Sequence, residues 1–242
     1  MARPLADVRS LVAAQPALVD GAHGMLGLLQ RLCSAAVTAL PASGVGVTVM
    51  TDAGVRGVAV ASDAASERID ELQLTLGEGP CMDAFSSRRP VLEADLRSGG
   101  MSRWPVYSPA VLDEGVRAVF AFPMQVGAAR LGVFDVYREG EGSLSPDAFA
   151  QALTFAEVAT EMLLDGQEQA LPGRADAGLD EALDDRFELH QAQGMVMVQL
   201  GISLGDALTR IRAHAFANNH SLGNVAADVV SRRIRFDHGT RD

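Results

Sequence analysis

The sequence predicts an α+β domain, an antiparallel sheet flanked by helices, followed by a small all-α domain of three helices. Three observations carry this. Between about residues 22 and 165, short apolar runs with strand-like alternation are separated by turn residues and bracketed by stretches of helical period. Between residues 179 and 237 the strand pattern disappears, and three helical stripes follow one another with cap residues between them. Separating the two is a segment, residues 166–178, in which Pro172-Gly173 breaks any single helical rod, so it reads as a linker. Residues 1–21 read as an N-terminal extension and 238–242 as a tail.

In the extension, Leu11, Val12, Leu18 and Val19 can pack onto a neighbour, but Pro4 and Pro16 limit any helix there. Met25 to Leu40 is helical, with Leu28, Leu32, Ala35 and Ala39 on one face, and Pro41-Ala42-Ser43-Gly44 ends it. Val45 to Met50 reads as a strand, Thr51-Asp52-Ala53-Gly54 as a turn, and Val55 to Ala61 as the hairpin partner. In Leu76-Gly77-Glu78-Gly79-Pro80-Cys81-Met82-Asp83-Ala84-Phe85 the glycines suggest a tight loop, and Pro80 suits the first turn of a short helix. Pro90-Val91-Leu92 begins a strand, and a helix opens near Trp104-Pro105 and Tyr107 and runs to Gly115. Val116 to Met124 and Arg130 to Tyr137 form two antiparallel strands joined through Gly127. Ser145-Pro146-Asp147 starts a helix carrying Phe149, Leu153, Ala156 and Met162 to about Leu164.

In the C-terminal part, Leu183, Phe187, Gly194 and Val198 are read as the first helical stripe. Leu204, Ala207, Leu208, Ile211 and Ala215 form the second, and Leu222, Val225, Ala226 and Val229 the third. Gly201 stops the first helix. Ser203 with Asp206 three residues on caps the second, Asn218-Asn219 ends it, and Ser221 caps the third.

Composition excludes several functions. The chain of 242 residues has a formal net charge of −11, which argues against a protein built wholly around nucleic acid. The charge is uneven, however: from Arg210 onward stand six arginines (210, 212, 232, 233, 235, 241) against three carboxylates (228, 237, 242). All twenty basic residues are arginine. A Walker-A loop, a pyridoxal Schiff base and a protein-kinase site each need a lysine and are excluded. The five histidines (23, 190, 214, 220, 238) show no ligand spacing, so no metal is expected, and the cofactor is unknown. Cys33 and Cys81 fit no CxxC pattern, and there is neither a membrane-length apolar run nor a secretory h-region. The expectation is a reduced, cytoplasmic chain with no membrane partner.

The C-terminal stretch resembles the ANTAR domain, a three-helix RNA-binding module of bacterial antitermination regulators. Ala192 to Met197, Ser203 to Ala207, Arg210-Ile211-Arg212 and Val225-Ala226 carry the resemblance. One departure is Gln193, where that family's pattern has a lysine. The part before it resembles a GAF domain through LGEGPCMDAF, Trp104-Pro105, Phe120-Ala121-Phe122-Pro123 and Gly132 to Tyr137. That resemblance implies a sensor, an antiparallel sheet with flanking helices, many examples of which hold a small ligand between sheet and lid. It fixes fold better than ligand. A phospho-acceptor receiver domain, a frequent companion of ANTAR, uses a lysine and is ruled out here.

Each candidate residue has two readings. The RNA-binding set is Gln193, Arg210, Arg212, His214, Arg232 and Arg233. Arginine pairs with phosphate and stacks on unpaired bases, while a solvated helix face or favourable charge at a helix C-terminus explains the same residues. The ligand-binding set is Cys81, Trp104, Phe120 and Phe122. Cys81 could be a redox thiol, a chromophore anchor or a nucleophile, but packing is the simpler reading. Phe120 and Phe122 alternate onto one sheet face, which makes core packing their default. The GEGP loop could cradle an anion with its N–H groups, though such a loop more often just turns the chain.

The reading that follows is a non-enzymatic, signal-responsive RNA-binding regulator. By resemblance it is an antiterminator of transcription that binds stem-loop RNA in nascent transcripts under control of a GAF sensor domain, for which a small-molecule ligand could be the signal. In a homodimer, two such domains would engage two stem-loops. Two alternatives stand beside it: a DNA-binding regulator using successive capped helices, and a GAF-type thiol reductase using Cys81.

Overall fold

The computed structural model describes residues 5–16, 24–51, 54–169, 177–218 and 220–237. Its centre is a five-stranded antiparallel sheet of β1 (Gly44–Thr51), β2 (Gly54–Ala61), β3 (Val91–Glu93), β4 (Ala118–Val126) and β5 (Ala129–Arg138), in the order β2-β1-β5-β4-β3. The period of two divides each strand between two very different environments. Val45 and Val47 of β1, Phe120 and Phe122 of β4, and Phe134 and Val136 of β5 all point to one face. Gly46 and Thr48, Val119 and Ala121, and Asp135 and Tyr137 point to the other.

The first face is wholly apolar. Helices α1 (Leu5–Ala14), α2 (Gly24–Ala39) and α7 (Pro146–Gln169) cover it. Leu29, Leu32, Phe120, Phe122, Phe134 and Phe155 are each no more than 1% exposed, and Phe134 stacks on Phe155 with centroids 6.2 Å apart. The N-terminal segment contributes here: α1 drives Val8 and Val12 into the same core and stops just before Pro16. Helix α7 runs to Gln169, past the expected end near Leu164 and into the stretch read as linker. Residues 170–176, with Pro172, lie outside the described residues.

The second face carries α3 (Ala64–Leu76), α4 (Pro80–Ser87), α5 (Met101–Arg103, which continues a π-helical turn at Leu96–Gly100) and α6 (Tyr107–Asp113). Helix α3 has no counterpart among the elements that the sequence predicts. Its signals are local: Asp63 caps it by accepting from the N–H groups of Ala65 and Ser66, and Gly77 closes it at φ 70°. It lies close to the sheet because β1 is Gly-Val-Gly-Val. A Cβ on Gly46 would sit 1.8 Å from Asp70 Oδ2, and one on Gly44 2.0 Å from Ser66 Oγ.

After residue 176 the chain forms α8 (Ala177–Leu200), α9 (Leu204–Ala217) and α10 (Leu222–Val230). Gly201 at φ 58° ends α8, and Ser203 and Ser221 accept from the N–H groups of Asp206 and Asn224 as the caps of α9 and α10. The second and third stripes hold at Ala207, Ile211 and Ala215 and at Leu222, Val225, Ala226 and Val229, all buried. Leu204, expected in the second stripe, is 43% exposed. The first stripe requires correction. Leu189, Ala192, Val196 and Leu200 face inward, while Val198 is 76% exposed on the other side of α8, and the side chains of Leu183 and Phe187 lie outside the described residues.

These three helices do not form a separate core. Their buried residues are continuous with Ile69 and Leu74 of α3, and α8 runs beside α2 and β2 while α9 and α10 lie against α3. No helix among the described residues is long and apolar enough to cross a membrane.

The aromatic stack sets a first expectation. Phe155→Ala should lower stability by about 3–5 kcal/mol, because it opens a cavity under Phe134 where α7 holds the sheet. Urea unfolding followed by circular dichroism checks this, and a loss below about 1 kcal/mol would mean the layer collapses without cost.

Candidate functional site

The glycine loop assembles the second face. Gln73 holds it with two oxygens: its main-chain O accepts from Gly77 N, and its side-chain Oε1 accepts from Cys81 N at 2.8 Å. That second bond needs Gly79, where a Cβ would sit 2.5 Å from Gln73 Oε1. Glu78 points the other way and accepts from the N–H groups of Val106 and Tyr107, capping α6. Pro80 occupies the first turn of α4, and Asp83 one turn later accepts from Trp104 Nε1 and Arg103. The loop's N–H groups at 77 and 81 are engaged within the protein, and its contacts orient three helices.

Under the loop lies a buried polar cluster drawn from four elements. Asp70 and Gln73 come from α3, Cys81 from α4, Tyr107 from α6, and Thr48, Asp135 and Tyr137 from the sheet, each no more than 1% exposed. Tyr137 OH donates to Asp70 Oδ1 and accepts from Gln73 Nε2. Much of the rest is poorly paired: Asp70 Oδ2 and Tyr107 OH have no hydrogen-bond partner, and Thr48 Oγ1 and both oxygens of Asp135 have only the weak Cys81 thiol beside them. Burial raises the pKa of both carboxyls; the Asp70 charge raises Asp135 further, and the charges of Asp63 and Glu67 raise Asp70. The Tyr137 hydroxyl partly offsets this at Asp70, and the Cys81 thiol, a weak donor, at Asp135.

The two domains meet on the far side of α3. Arg212 Nε of α9 donates to the main-chain O of Leu74 at 3.1 Å. Its guanidinium lies over Gly77, where a Cβ would come within 2.6 Å of it. Arg212 thus occupies the C-terminal end of α3, where free carbonyls and the helix dipole favour a cation. Beside this contact is a cleft of about 430 Å³ between Ile69, Leu72 and Thr75 of α3 and Phe216 and His220.

Comparison with known proteins agrees with this architecture. A GAF domain family model matches residues 22–164, and an ANTAR domain model matches residues 177–230. The chain belongs to the GAF domain family, and an ANTAR domain follows. A sensor domain joined to an RNA-binding one is the architecture of a regulator. Among solved structures, a domain of a two-component sensor histidine kinase protein from Sinorhizobium meliloti 1021 aligns with TM-score 0.50 and 17% identity, over 64% of this chain and 100% of that one. The GAF domain of a phosphoenolpyruvate-protein phosphotransferase from Coxiella burnetii aligns with TM-score 0.50 and 19% identity, over 69% of this chain and 95% of that one. At these identities the likeness speaks to the fold alone. Curated proteins gave no match.

Within the GAF domain the four residues expected at a ligand site divide. Cys81 and Trp104 belong to the core of the second face, Trp104 edge-on to Tyr107. Phe120 and Phe122 are corrected: they point to the α2 and α7 side, because alternation along β4 puts them opposite Val119 and Ala121. Thr48, Asp70, Gln73, Asp135 and Tyr137 were missed. One signal was available, an aspartate inside the apolar run Val133-Phe134-Asp135-Val136 of a central strand. Cys33 packs on the α2 side and Cys81 on the other, so the sheet separates the two thiols, and burial raises both pKa values.

In the ANTAR domain the six expected RNA contacts do not form one patch. Gln193 is 5% exposed, which removes it from any surface contact in this arrangement. Arg212 is held by the GAF domain, and Arg233 forms an ion pair with Asp228 at 2.6 Å. His214 is half-buried with its ring against Phe236. Arg210 and Arg232 are exposed. Arg232 joins Arg235 on a cleft of about 620 Å³ whose lining includes Met195, Val198, Gln199 and Ile234. Val198, misplaced in the core by the sequence reading, is part of this surface.

The carboxyl pair has a consequence for pH. A group whose folded pKa is raised contributes stability that is present below its unfolded pKa and lost as pH rises through the folded value. Asp70 and Asp135, facing Tyr107, Tyr137 and Cys81, should therefore cost stability as pH climbs from about 4 toward neutrality. Asp135→Asn, which keeps the shape and removes the charge, should flatten that slope and raise stability near pH 7.5 by about 1 kcal/mol or more. Urea midpoints across the pH range measure it, and an unchanged slope would place the titration elsewhere.

Proposed function

We propose that the protein is a cytoplasmic, signal-responsive RNA-binding regulator that acts as a transcription antiterminator. The ANTAR domain binds a stem-loop in a nascent transcript, and the GAF domain controls whether its basic residues are free to do so. One observation carries the control: Arg212, a cation of the RNA-binding domain, is spent on Leu74 O of the sensor domain. Its guanidinium stays charged even though burial lowers its pKa, so freeing it returns a whole cation to the RNA face.

The contact surface of this reading centres on the cleft with Arg232 and Arg235. Met195, Val198 and Ile234 offer apolar contact for an unpaired base, and two guanidinium groups stand beside them. Arg210 extends the basic surface along α9. The alternative use of Cys81 as a reductase nucleophile is disfavoured, because its thiol is buried, held protonated, and separated from Cys33 by the sheet.

Binding of a stem-loop RNA and of a matched DNA duplex, compared at several salt concentrations, tests the function. RNA should win. Equal affinity for the duplex would favour a DNA-binding regulator. Replacing Arg232 and Arg235 with Ala should weaken RNA binding and lower the magnitude of the salt slope by about 0.7 for each phosphate that is no longer neutralised. A folded double variant with wild-type affinity would move the surface to Arg210.

Gly77→Ala isolates the control. It strains the left-handed position and pushes into Arg212, so it should undock α9 and strengthen RNA binding on the order of fivefold. Binding unchanged in a variant whose α9 is shown by crosslinking to have left α3 would mean the docked arginine plays no part.

A further inference from the structure

The polar cluster on the second face buries carboxyl and hydroxyl oxygens without well-formed hydrogen bonds. Asp135 enters from β5 fully buried, with only the weak Cys81 thiol donor beside its two oxygens. Asp70 Oδ2 and Thr48 Oγ1 are buried and poorly paired on the same sheet face, and Tyr107 OH completes the ring from α6. These groups act on one another: Asp70 and Asp135 interact, and Tyr107 feels Asp135, Asp70 and Cys81. No basic side chain pairs with either carboxylate among the described residues, and the chain has no lysine to offer. Buried polar atoms are paired in nearly all folded proteins, and an unpaired buried carboxylate is among the costliest exceptions.

We infer that the GAF domain binds a small organic cation, an ammonium or guanidinium head group whose N–H donors are taken by Asp135, Asp70 and Thr48. This rests on the sensor reading above and gives its signal a chemical class. The donor count fits. Asp135 has two oxygens beside only a weak thiol donor, and Asp70 and Thr48 have one poorly paired oxygen each, which suits a head group with three to five N–H donors and no acceptor. The positive charge fits as well, since a cation offsets the repulsion that Asp70 imposes on Asp135. A metal ion fits less well: no three His, Cys, Asp or Glu groups converge anywhere among the described residues. Trp104, Met50 and Val133 belong to the same apolar core and would pack on the body of the ligand, so the charged head supplies recognition. The coupling route is short. Asp70 and Gln73 lie on α3, and Gln73 O and Leu74 O end the same helix where Arg212 docks. A cation drawn to Asp70 pulls on the helix that holds Arg212.

Thermal unfolding of the full chain at pH 8 tests this, with methylguanidinium or methylammonium chloride at about 10 mM against an equal concentration of sodium chloride. At least one should raise Tm by about 3 °C or more. The rise should vanish in Asp135→Asn, and in wild type it should shrink as pH falls toward 5 and the carboxylates protonate. The neutral donor acetamide should give no rise. No rise with either cation, or an equal rise in Asp135→Asn, overturns the inference. Should Asp135→Asn not fold, Thr48→Val and the pH series decide in its place: a rise that does not depend on pH overturns the inference. Stem-loop RNA binding by the wild type, measured alongside without any cation, separates the two readings. RNA binding with no cation effect removes this inference alone, and a cation effect with no RNA binding removes the regulator reading and leaves this one standing.

Discussion

Everything on the second face depends on how closely α3 can approach β1. Two glycines set that distance. With Gly44 and Gly46 facing it, α3 can seat Ser66 and Asp70, one turn apart, directly on the strand. A side chain at either position would push the helix off the sheet and take Asp70 out of reach of Tyr137. It would also lift Gln73 away from the loop at Cys81. The position of α3 in turn decides what its outer side presents, because Ile69 and Leu74 join the apolar core of the C-terminal helices. One backbone-to-helix distance therefore controls both the interior of the sensor domain and the seat of its partner.

The two faces of the sheet do different work. The α2–α7 side is packed with phenylalanine and aliphatic side chains, and its burial holds the domain together. The α3 side gives up part of that gain to bury two carboxyls and two phenols. Such a cluster destabilises the empty domain, and stability given up at one place is usual where a protein binds or responds. The division also protects the chemistry of the cysteines, since Cys33 and Cys81 sit on opposite sides and cannot meet.

Much of the fold was legible. The strands, the caps at Ser203 and Ser221, and Pro80 at the start of α4 followed from local rules, because each depends on neighbours within a few residues. The failures are instructive for the same reason. The first stripe of α8 was placed on the side carrying Val198 because apolar character alone was read. Burial there goes instead to residues that include Ala192 and Gln193, which are small or polar. Helix α3 went unread because its buried face carries Ser66, Asp70 and Gln73, which look like a solvated surface in one dimension. The candidate site suffered most. Cys81 and Trp104 belong to the right face, but the residues that define its chemistry became visible only once four elements were brought together. Arg212 reads as a surface cation in sequence, and only the fold shows that a helix end has claimed it.

The shared core between α3 and α9 also bears on how such chains can diverge. Two domains joined only by a tether can be exchanged for others without loss. Here Leu74, Gly77 and Arg212 form one joint built from both halves, so a change on either side must be matched on the other. A chimera carrying a foreign sensor in front of this C-terminal domain would inherit an arginine with no helix end to rest on. Such sensors and outputs should therefore be inherited as matched pairs.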